Sequence, residues 1–225
     1  MQKIRHAVIM AAGRGQRMMP LTETTPKPLA SFRGTTLVGH SIDQLKKHVP
    51  HIHVTVGYKA AQVASYLLEH GVSSVFNTEG QPNAWWLSNT LLRHLDEPVM
   101  VLTCDHVVEI PFDQIEHDYY LQYDPPGMLV PARPVDGVEG DYIFHNRYGQ
   151  VTKLSRSEKA PTYASGIQVI NPTYVHKNVV HDGDFSTVWQ SLIALRRLNV
   201  SGTCLDKWFS VDTVDDLEKA NREHT

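Results

Sequence analysis

The chain has 225 residues, 41% of them hydrophobic and 20% charged, with a formal net charge of -3 at pH 7. That length supports one good core and is too short for two ordinary domains with separate substrate sites, so a single domain over 1–225 is expected. The charge gives no basic footprint for nucleic acid or an anionic membrane, and no apolar run reaches the roughly 18 residues that span a bilayer.

In chain order, His6 to Met10 reads as a buried strand, followed by the glycine-containing string Ala11-Ala12-Gly13-Arg14-Gly15-Gln16-Arg17 and by Pro26-Lys27-Pro28-Leu29. Apolar residues at helical spacing predict helices over Thr36 to His48 and Ala60 to Glu69, separated by a strand at His53 to Val56. A strand at Ser74 to Phe76, a single amphipathic helix over Asn83 to Leu95 and a strand at Pro98 to Thr103 complete a first half with the alternation of an α/β domain. The second half is richer in short strands, at Met128 to Ala132, Asp141 to Phe144, Gln150 to Leu154 and Tyr163 to Ile170. Turns at Asp136-Gly137 and Arg147-Tyr148-Gly149 punctuate them, and helices are expected over Phe185 to Leu195 and Val214 to Arg222.

The glycine string points to phosphate chemistry. Gly13 and Gly15 let the backbone approach an anion and aim N–H groups at it, and Arg17 and Lys27 supply positive charge. A P-loop is excluded because Gly15 is followed by Gln16 and the lysine comes much later. A dinucleotide fingerprint is excluded because Met18 stands where a small residue must lie between helix and strand. Prolines on both sides of Lys27 restrict the backbone there and reduce the entropic cost of aiming the ammonium.

Together, Gly13-x-Gly15-x-Arg17, Pro20-Leu21-Thr22 and Pro26-Lys27-Pro28-Leu29 resemble the signature of the sugar-1-phosphate nucleotidyltransferase family, which makes NDP-sugars and CDP-alcohols. Members of comparable length include N-acetylmuramate-1-phosphate uridylyltransferase and phosphocholine cytidylyltransferase. The resemblance continues, more weakly, as far as Leu217. It implies a glycosyltransferase-A-like (Rossmann-like) α/β three-layer sandwich with a mixed, mostly parallel central sheet and a small β-rich acceptor lid. It also implies a nucleotide-binding half over 1–124, an acceptor-binding half over 125–225, Mg2+ dependence and release of pyrophosphate.

Two carboxylates fit the metal. Asp105 follows the run Val99 to Cys104, so a strand delivers a hard oxygen ligand to the edge that holds the glycine loop; the plainer alternative is a turn or helix cap. The resemblance assigns Asp105 to the metal, although relatives often carry glycine where this chain has Cys104. Asp212, in Val211-Asp212-Thr213-Val214-Asp215-Asp216-Leu217, matches the second metal aspartate of the family, and Thr213 is expected to cap the helix that follows. By the same resemblance Arg17 grips the β- and γ-phosphates and Lys27 stabilises charge on the α-phosphate. The resemblance also implies that Ala11, Ala12, Gly13, Gln81 and Asn83 face the nucleobase; an amide offers a donor and an acceptor together, which suits UTP or CTP, while a turn and a helix cap are the alternative roles of Gln81 and Asn83.

Glu139-Gly140-Asp141, Glu158-Lys159-Ala160-Pro161 and Ala164-Ser165-Gly166-Ile167 resemble the family's acceptor-binding segments, which implies that the acceptor meets Glu139, Asp141, Lys159 and Gly166, with Trp85 as the candidate aromatic contact. Adjacent residues on a helix point about 100° apart, so Trp85 and Trp86 cannot both lie centrally on a core stripe. A sugar 1-phosphate is the expected acceptor, and a phospho-alcohol such as phosphocholine, stacked on tryptophan, is the alternative. A non-catalytic nucleotide-binding regulator is the third reading. The resemblance thus implies an Mg2+-dependent transferase serving nucleotide-sugar and cell-surface polysaccharide biosynthesis; no nucleic-acid or membrane partner is expected, and a monomer or small homo-oligomer is. Cys104 and Cys204 form no Cys-x-x-Cys and no signal peptide is evident, so reduced thiols in a cytoplasm are expected.

Overall fold

The computed structural model describes residues 3–135, 140–206 and 208–222. The chain folds as two compact units that interleave along the sequence. The first takes Arg5–Gln81, Leu102–Val108 and the segment from Phe209 onward; the second takes the N-terminal residues up to Ile4, Pro82–Val101 and Glu109–Trp208.

The first unit opens with β1 (His6–Ala11), whose Ala7, Val8 and Ile9 are fully buried. A continuous apolar run of this kind belongs to a strand covered on both faces. After it come a 3-10 turn at Gln16–Met18, the short α1 (Leu21–Thr24) and a second 3-10 turn at Lys27–Leu29. The hairpin β2 (Ser31–Phe32) and β3 (Thr35–Thr36) turns through Arg33 and Gly34, both at positive φ, as a tight two-residue hairpin turn requires. The helix α2 (Leu37–Leu45) is capped by the Thr36 side chain, which accepts from the Gly39 N–H. Next, β4 (His51–Val56) runs parallel to β1, from His6 opposite His51 to Ala11 opposite Val56. The α3 helix (Ala60–Glu69) then leads to β5 (Ser74–Asn77), parallel to β4.

The second unit begins with α4 (Trp86–Asn89) and a 3-10 turn at Leu91–His94, so the single helix expected over Asn83 to Leu95 is corrected to two pieces. Thr90 separates them. Its backbone is extended, and its hydroxyl donates to the Trp86 carbonyl and accepts from the Leu92 N–H, offering the chain local bonds in place of a continuing helix. The unit boundary falls within β6 (Val99–Thr103). After β7 (His106–Val108) comes α5 (Phe112–Leu121), which the sequence reading lacks; it buries only Phe112, Ile115 and Tyr119 on an otherwise polar helix.

The remaining strands of the second unit are β8 (Gly127–Ala132), β9 (Tyr142–His145), β10 (Val151–Ser155) and β11 (Tyr163–Ile170). β11 lies antiparallel to β8, and their register shifts between Ala164 and Gln168. Gly166, at φ +83°, sits inside that bulge. The helices α6 (Pro172–Asn178) and α7 (Phe185–Ala194) follow, then β12 (Leu198–Val200), parallel to β8. The chain returns to the first unit through β13 (Trp208–Ser210) and ends the described residues with α8 (Val214–Arg222).

The architecture is α/β with mixed strand directions, as expected. A core cluster of the first unit joins Met18, Phe32, Leu37, Val107, Val211, Leu217 and Ala220. It anchors the glycine string, β2, α2 and the closing helix to one another, although they are far apart in sequence. Packing at this density leaves these elements little freedom, so side chains mounted on them are held in place.

Candidate active site

The glycine string leaves the C-terminal end of β1 and depends on Gly15. Its φ of +66° is unfavourable for other residues, and a Cβ there would lie 2.8 Å from Lys27 Cβ. The missing side chain therefore lets the Lys27 stem pass against the loop. Two donors fix the Gly15 carbonyl, the Met18 N–H at 3.0 Å and the Thr22 hydroxyl at 3.1 Å. Gly13 differs: it is exposed, and a Cβ there would meet nothing within 4 Å. Met18, the residue that excluded a dinucleotide fingerprint, is wholly buried and plugs the loop into the core.

Four charged side chains of the first unit converge beside this loop. Lys27 Nζ donates to Asp105 Oδ2 at 2.8 Å and to Asp212 Oδ1 at 3.3 Å. Arg17 Nη2 donates to the same Asp212 oxygen at 2.8 Å, and the Ser210 hydroxyl donates to Asp212 Oδ2 at 3.0 Å. The two aspartates are also linked through the backbone, since the Val211 N–H donates to the Asp105 carbonyl. Burial raises the Asp105 carboxyl, but the His106 imidazole and the Lys27 ammonium outweigh it and hold the group down at about 2. Burial likewise works against the Lys27 charge, and Asp105 more than restores it. The Cys104 thiol is pushed up to about 12 by burial and by Asp105, so it is an inert packing group.

Residues 7–117 match the MobA-like NTP transferase domain family. The chain is also 27% identical over 183 residues to a mannose-1-phosphate guanyltransferase of Candida albicans, covering 75% of this chain and 50% of that protein. It thus spans about half the length of that relative. Among solved structures, the CTP:phosphocholine cytidylyltransferase of Streptococcus pneumoniae matches with a TM-score of 0.74 at 20% identity, covering 100% of both chains. The inositol-1-phosphate CTP transferase of T. maritima matches with a TM-score of 0.77 at 17% identity, covering 100% of this chain and 98% of that one. At those identities the two structures speak to the fold alone.

Within the matched segment, Asp105 lies in the turn between β6 and β7, and Cys104 ahead of it donates its N–H to the Met10 carbonyl of β1. Asp212 lies outside the matched segment, just before α8. There Thr213 caps the helix as expected: its hydroxyl accepts from the Asp216 N–H, while the Asp216 carboxylate accepts from the N–H groups of Asp212 and Thr213. Capping therefore uses Thr213 and Asp216, which leaves Asp212 to the cations. The donor chemistry suits a divalent ion such as Mg2+, which typically binds one or two carboxylates and completes its shell with water and phosphate oxygen. Among the described residues, no three His, Cys, Asp or Glu side chains gather as a protein-only metal cage.

The other residues singled out from the sequence are placed as follows. Ala11 ends β1, and the Ala12 carbonyl accepts from the Tyr58 N–H at 3.2 Å. Gln81 is exposed. Asn83 Oδ1 accepts from the Phe185 N–H at 2.8 Å, satisfying a donor at the start of α7 rather than of its own segment. Trp85 is half-buried, whereas Trp86 is buried beside Phe185, its indole N–H without a partner among the described residues. Asp141 is ion-paired with Arg156 at 3.1 Å and Lys159 is exposed; Glu139 lies outside the described residues. Gly57, Tyr58 and Lys59 join the loop without belonging to any motif of the sequence; the one signal for them there is their position directly after β4, at the sheet edge where β1 also ends.

Proposed function

We propose that this protein is a nucleotidyltransferase that joins a nucleoside triphosphate to a sugar 1-phosphate, giving a nucleotide-sugar and pyrophosphate. The observation that carries this reading is the alternation Arg17, Asp212, Lys27, Asp105, in which two carboxylates from separate strand ends share one lysine ammonium beside an open glycine loop. A domain that only bound a nucleotide would have no need of the second carboxylate. The MobA-like domain over residues 7–117 supports the reading, as does the sugar 1-phosphate named for the Candida albicans relative.

Asp105 and Asp212 would hold a divalent cation, which supplies charge neutralisation between the acceptor phosphate and the α-phosphate. The protein's own groups do the rest. A phosphate-monoester oxygen of the acceptor attacks the α-phosphorus, and the bond from that phosphorus to the α,β-bridging oxygen breaks as pyrophosphate leaves. The attacking oxygen is already anionic near neutral pH, so no general base is required. Lys27 stabilises charge that grows on the α-phosphoryl oxygens, and Arg17 grips the β- and γ-phosphates before and after transfer. Gly13 lets a phosphate approach the backbone closely. The exposed Gln81 amide favours a pyrimidine base, hence UTP or CTP, with the nucleotide handled mainly by 1–124 and the acceptor by 125–225. Unpaired Cys104 and Cys204, and the lack of any described helix long and apolar enough to cross a membrane, suit a cytoplasmic setting.

The test is a pyrophosphate-release screen crossing four nucleoside triphosphates with a panel of sugar 1-phosphates and phospho-alcohols, with Mg2+ present and absent. The expected result is Mg2+-dependent release with a sugar 1-phosphate and a pyrimidine triphosphate. Release only with phosphocholine or another phospho-alcohol would replace the acceptor. Tight triphosphate binding without release for any pair would make the chain a nucleotide-binding regulator.

A further inference from the structure

The segment after β4 is tied to the glycine string and to α1 by four hydrogen bonds. The Tyr58 N–H donates to the Ala12 carbonyl at 3.2 Å, and the Tyr58 hydroxyl donates to the Thr22 carbonyl at 3.0 Å. Lys59 Nζ donates to the carbonyls of Glu23 and Thr24, the latter at 2.8 Å. Gly57 allows this close approach, since a Cβ there would stand 2.5 Å from the Ala12 carbonyl oxygen. The Tyr58 ring also carries two cations, the Arg14 guanidinium 5.3 Å and the Lys59 ammonium 5.6 Å from its centroid.

Lys59 itself is in the left-handed region, at φ 53° and ψ 40°. Lysine seldom adopts that conformation, and such strain persists only where the surroundings over-determine it. Glycine would occupy this backbone without strain; what glycine lacks is an ammonium that reaches the end of α1. That helix has only four residues, so its last carbonyls have no partner within it. Thr24, whose carbonyl Lys59 holds, lies just ahead of Thr25-Pro26-Lys27. We propose that Lys59, braced by Tyr58, is a positioning residue that fixes the turn carrying Lys27 and so sets where the Lys27 ammonium stands. The inference rests on the reading of Lys27 as the cation of the transfer step.

The test compares Lys59→Gly, Lys59→Arg and Lys27→Ala with the wild type. Glycine relieves the backbone strain and removes the tether, so the thermal midpoint should hold or rise while kcat falls about tenfold and the triphosphate KM stays within about twofold. Arginine can donate to both carbonyls, so Lys59→Arg should recover most of kcat. Independently of turnover, amide exchange over residues 21–29 should quicken in Lys59→Gly while that of residues 60–69 does not. An unchanged kcat and unchanged exchange over 21–29 in Lys59→Gly would overturn the proposal, as would a kcat loss matched by a lower thermal midpoint and not recovered by arginine. If instead Lys27→Ala leaves kcat intact, the role assigned to Lys27 fails, and the exchange over 21–29 alone decides whether Lys59 holds the turn.

Discussion

The parallel strands β1, β4 and β5 carry ionisable groups at both ends, arranged in opposite ways. Where the strands begin, three imidazoles lie side by side: His6 stacks on His51 at 4.7 Å and on His53 at 5.4 Å. His53 also bonds His6 at 3.1 Å and the Ser74 hydroxyl at 2.7 Å. Where β1 ends, cations and carboxylates alternate, with Lys27 between Asp105 and Asp212. Like groups packed together are stable only while uncharged, and burial with His6 and His51 beside it pulls His53 down to about 4. Unlike groups sustain one another's charge, as the Asp105 carboxyl at about 2 shows. Only the alternating arrangement can exchange its partners for an anionic ligand and its counter-ion without creating an unpaired buried charge.

The sharpest way to break this contrast is to remove one carboxylate charge. Asp105→Asn or Asp212→Asn should lower turnover roughly 10²-fold or more with little change in thermal midpoint, because an amide keeps the shape and loses the charge. Mg2+-dependent turnover near the wild-type rate in both variants would remove the metal assignment. The cations should then separate. Lys27→Ala is expected to lower kcat by one to two orders of magnitude, roughly, because the charge it meets grows during transfer. Arg17→Ala should instead mainly raise the triphosphate KM, because the β- and γ-charge is present from the start. A Lys27→Ala variant altered only in KM would reverse the roles.

The imidazole end gives a pH signature of its own. Folding holds His53 neutral down to about 4, whereas in the unfolded chain it takes a proton near its ordinary value of 6.5. Its contribution is therefore complete above the ordinary value and is lost as pH falls through the folded one, a change of about 2–3 kcal/mol. Asp105 acts in a separate, lower window, because its stabilisation is lost only as pH falls from 3.8 towards 2. Urea midpoints measured in steps from pH 7 to pH 4.5 should fall steeply for the wild type and much less for His53→Gln. Parallel curves for the two proteins would show that some other group governs this range.

Sequence periodicity placed α3, α8 and β11 at the bounds observed, because each is long enough for its apolar spacing to dominate. It failed where local chemistry competes with periodicity. Thr90 breaks the expected helix with its own hydrogen bonds, and α5 hides behind residues such as His117 and Asp118 that dilute its apolar stripe. Arg17, Lys27, Asp105 and Asp212 were legible because each sits in a short string whose residue types and order are informative, and the structure brings all four together. Lys59 was not, because its partners are the carbonyls of Glu23 and Thr24, and a carbonyl looks the same in every residue. Asn83 escaped for a related reason: the N–H it satisfies belongs to Phe185, far along the chain.

The two glycines of the loop carry the smallest effects and the finest distinction. Gly15→Ala forces a side chain into a left-handed backbone and against Lys27 Cβ, so it should cost about 1–2 kcal/mol of stability. Because the atom it strikes belongs to Lys27, kcat should fall with it. Gly13→Ala meets no protein atom within 4 Å, so its stability should stay within about 0.5 kcal/mol of wild type. Any effect it has must come from a ligand that uses the open space, seen as a several-fold rise in triphosphate KM at unchanged urea midpoint. Should Gly13→Ala bind the triphosphate as tightly as wild type, the backbone at that position does not meet a phosphate, and Arg17 and Lys27 alone must hold the anion.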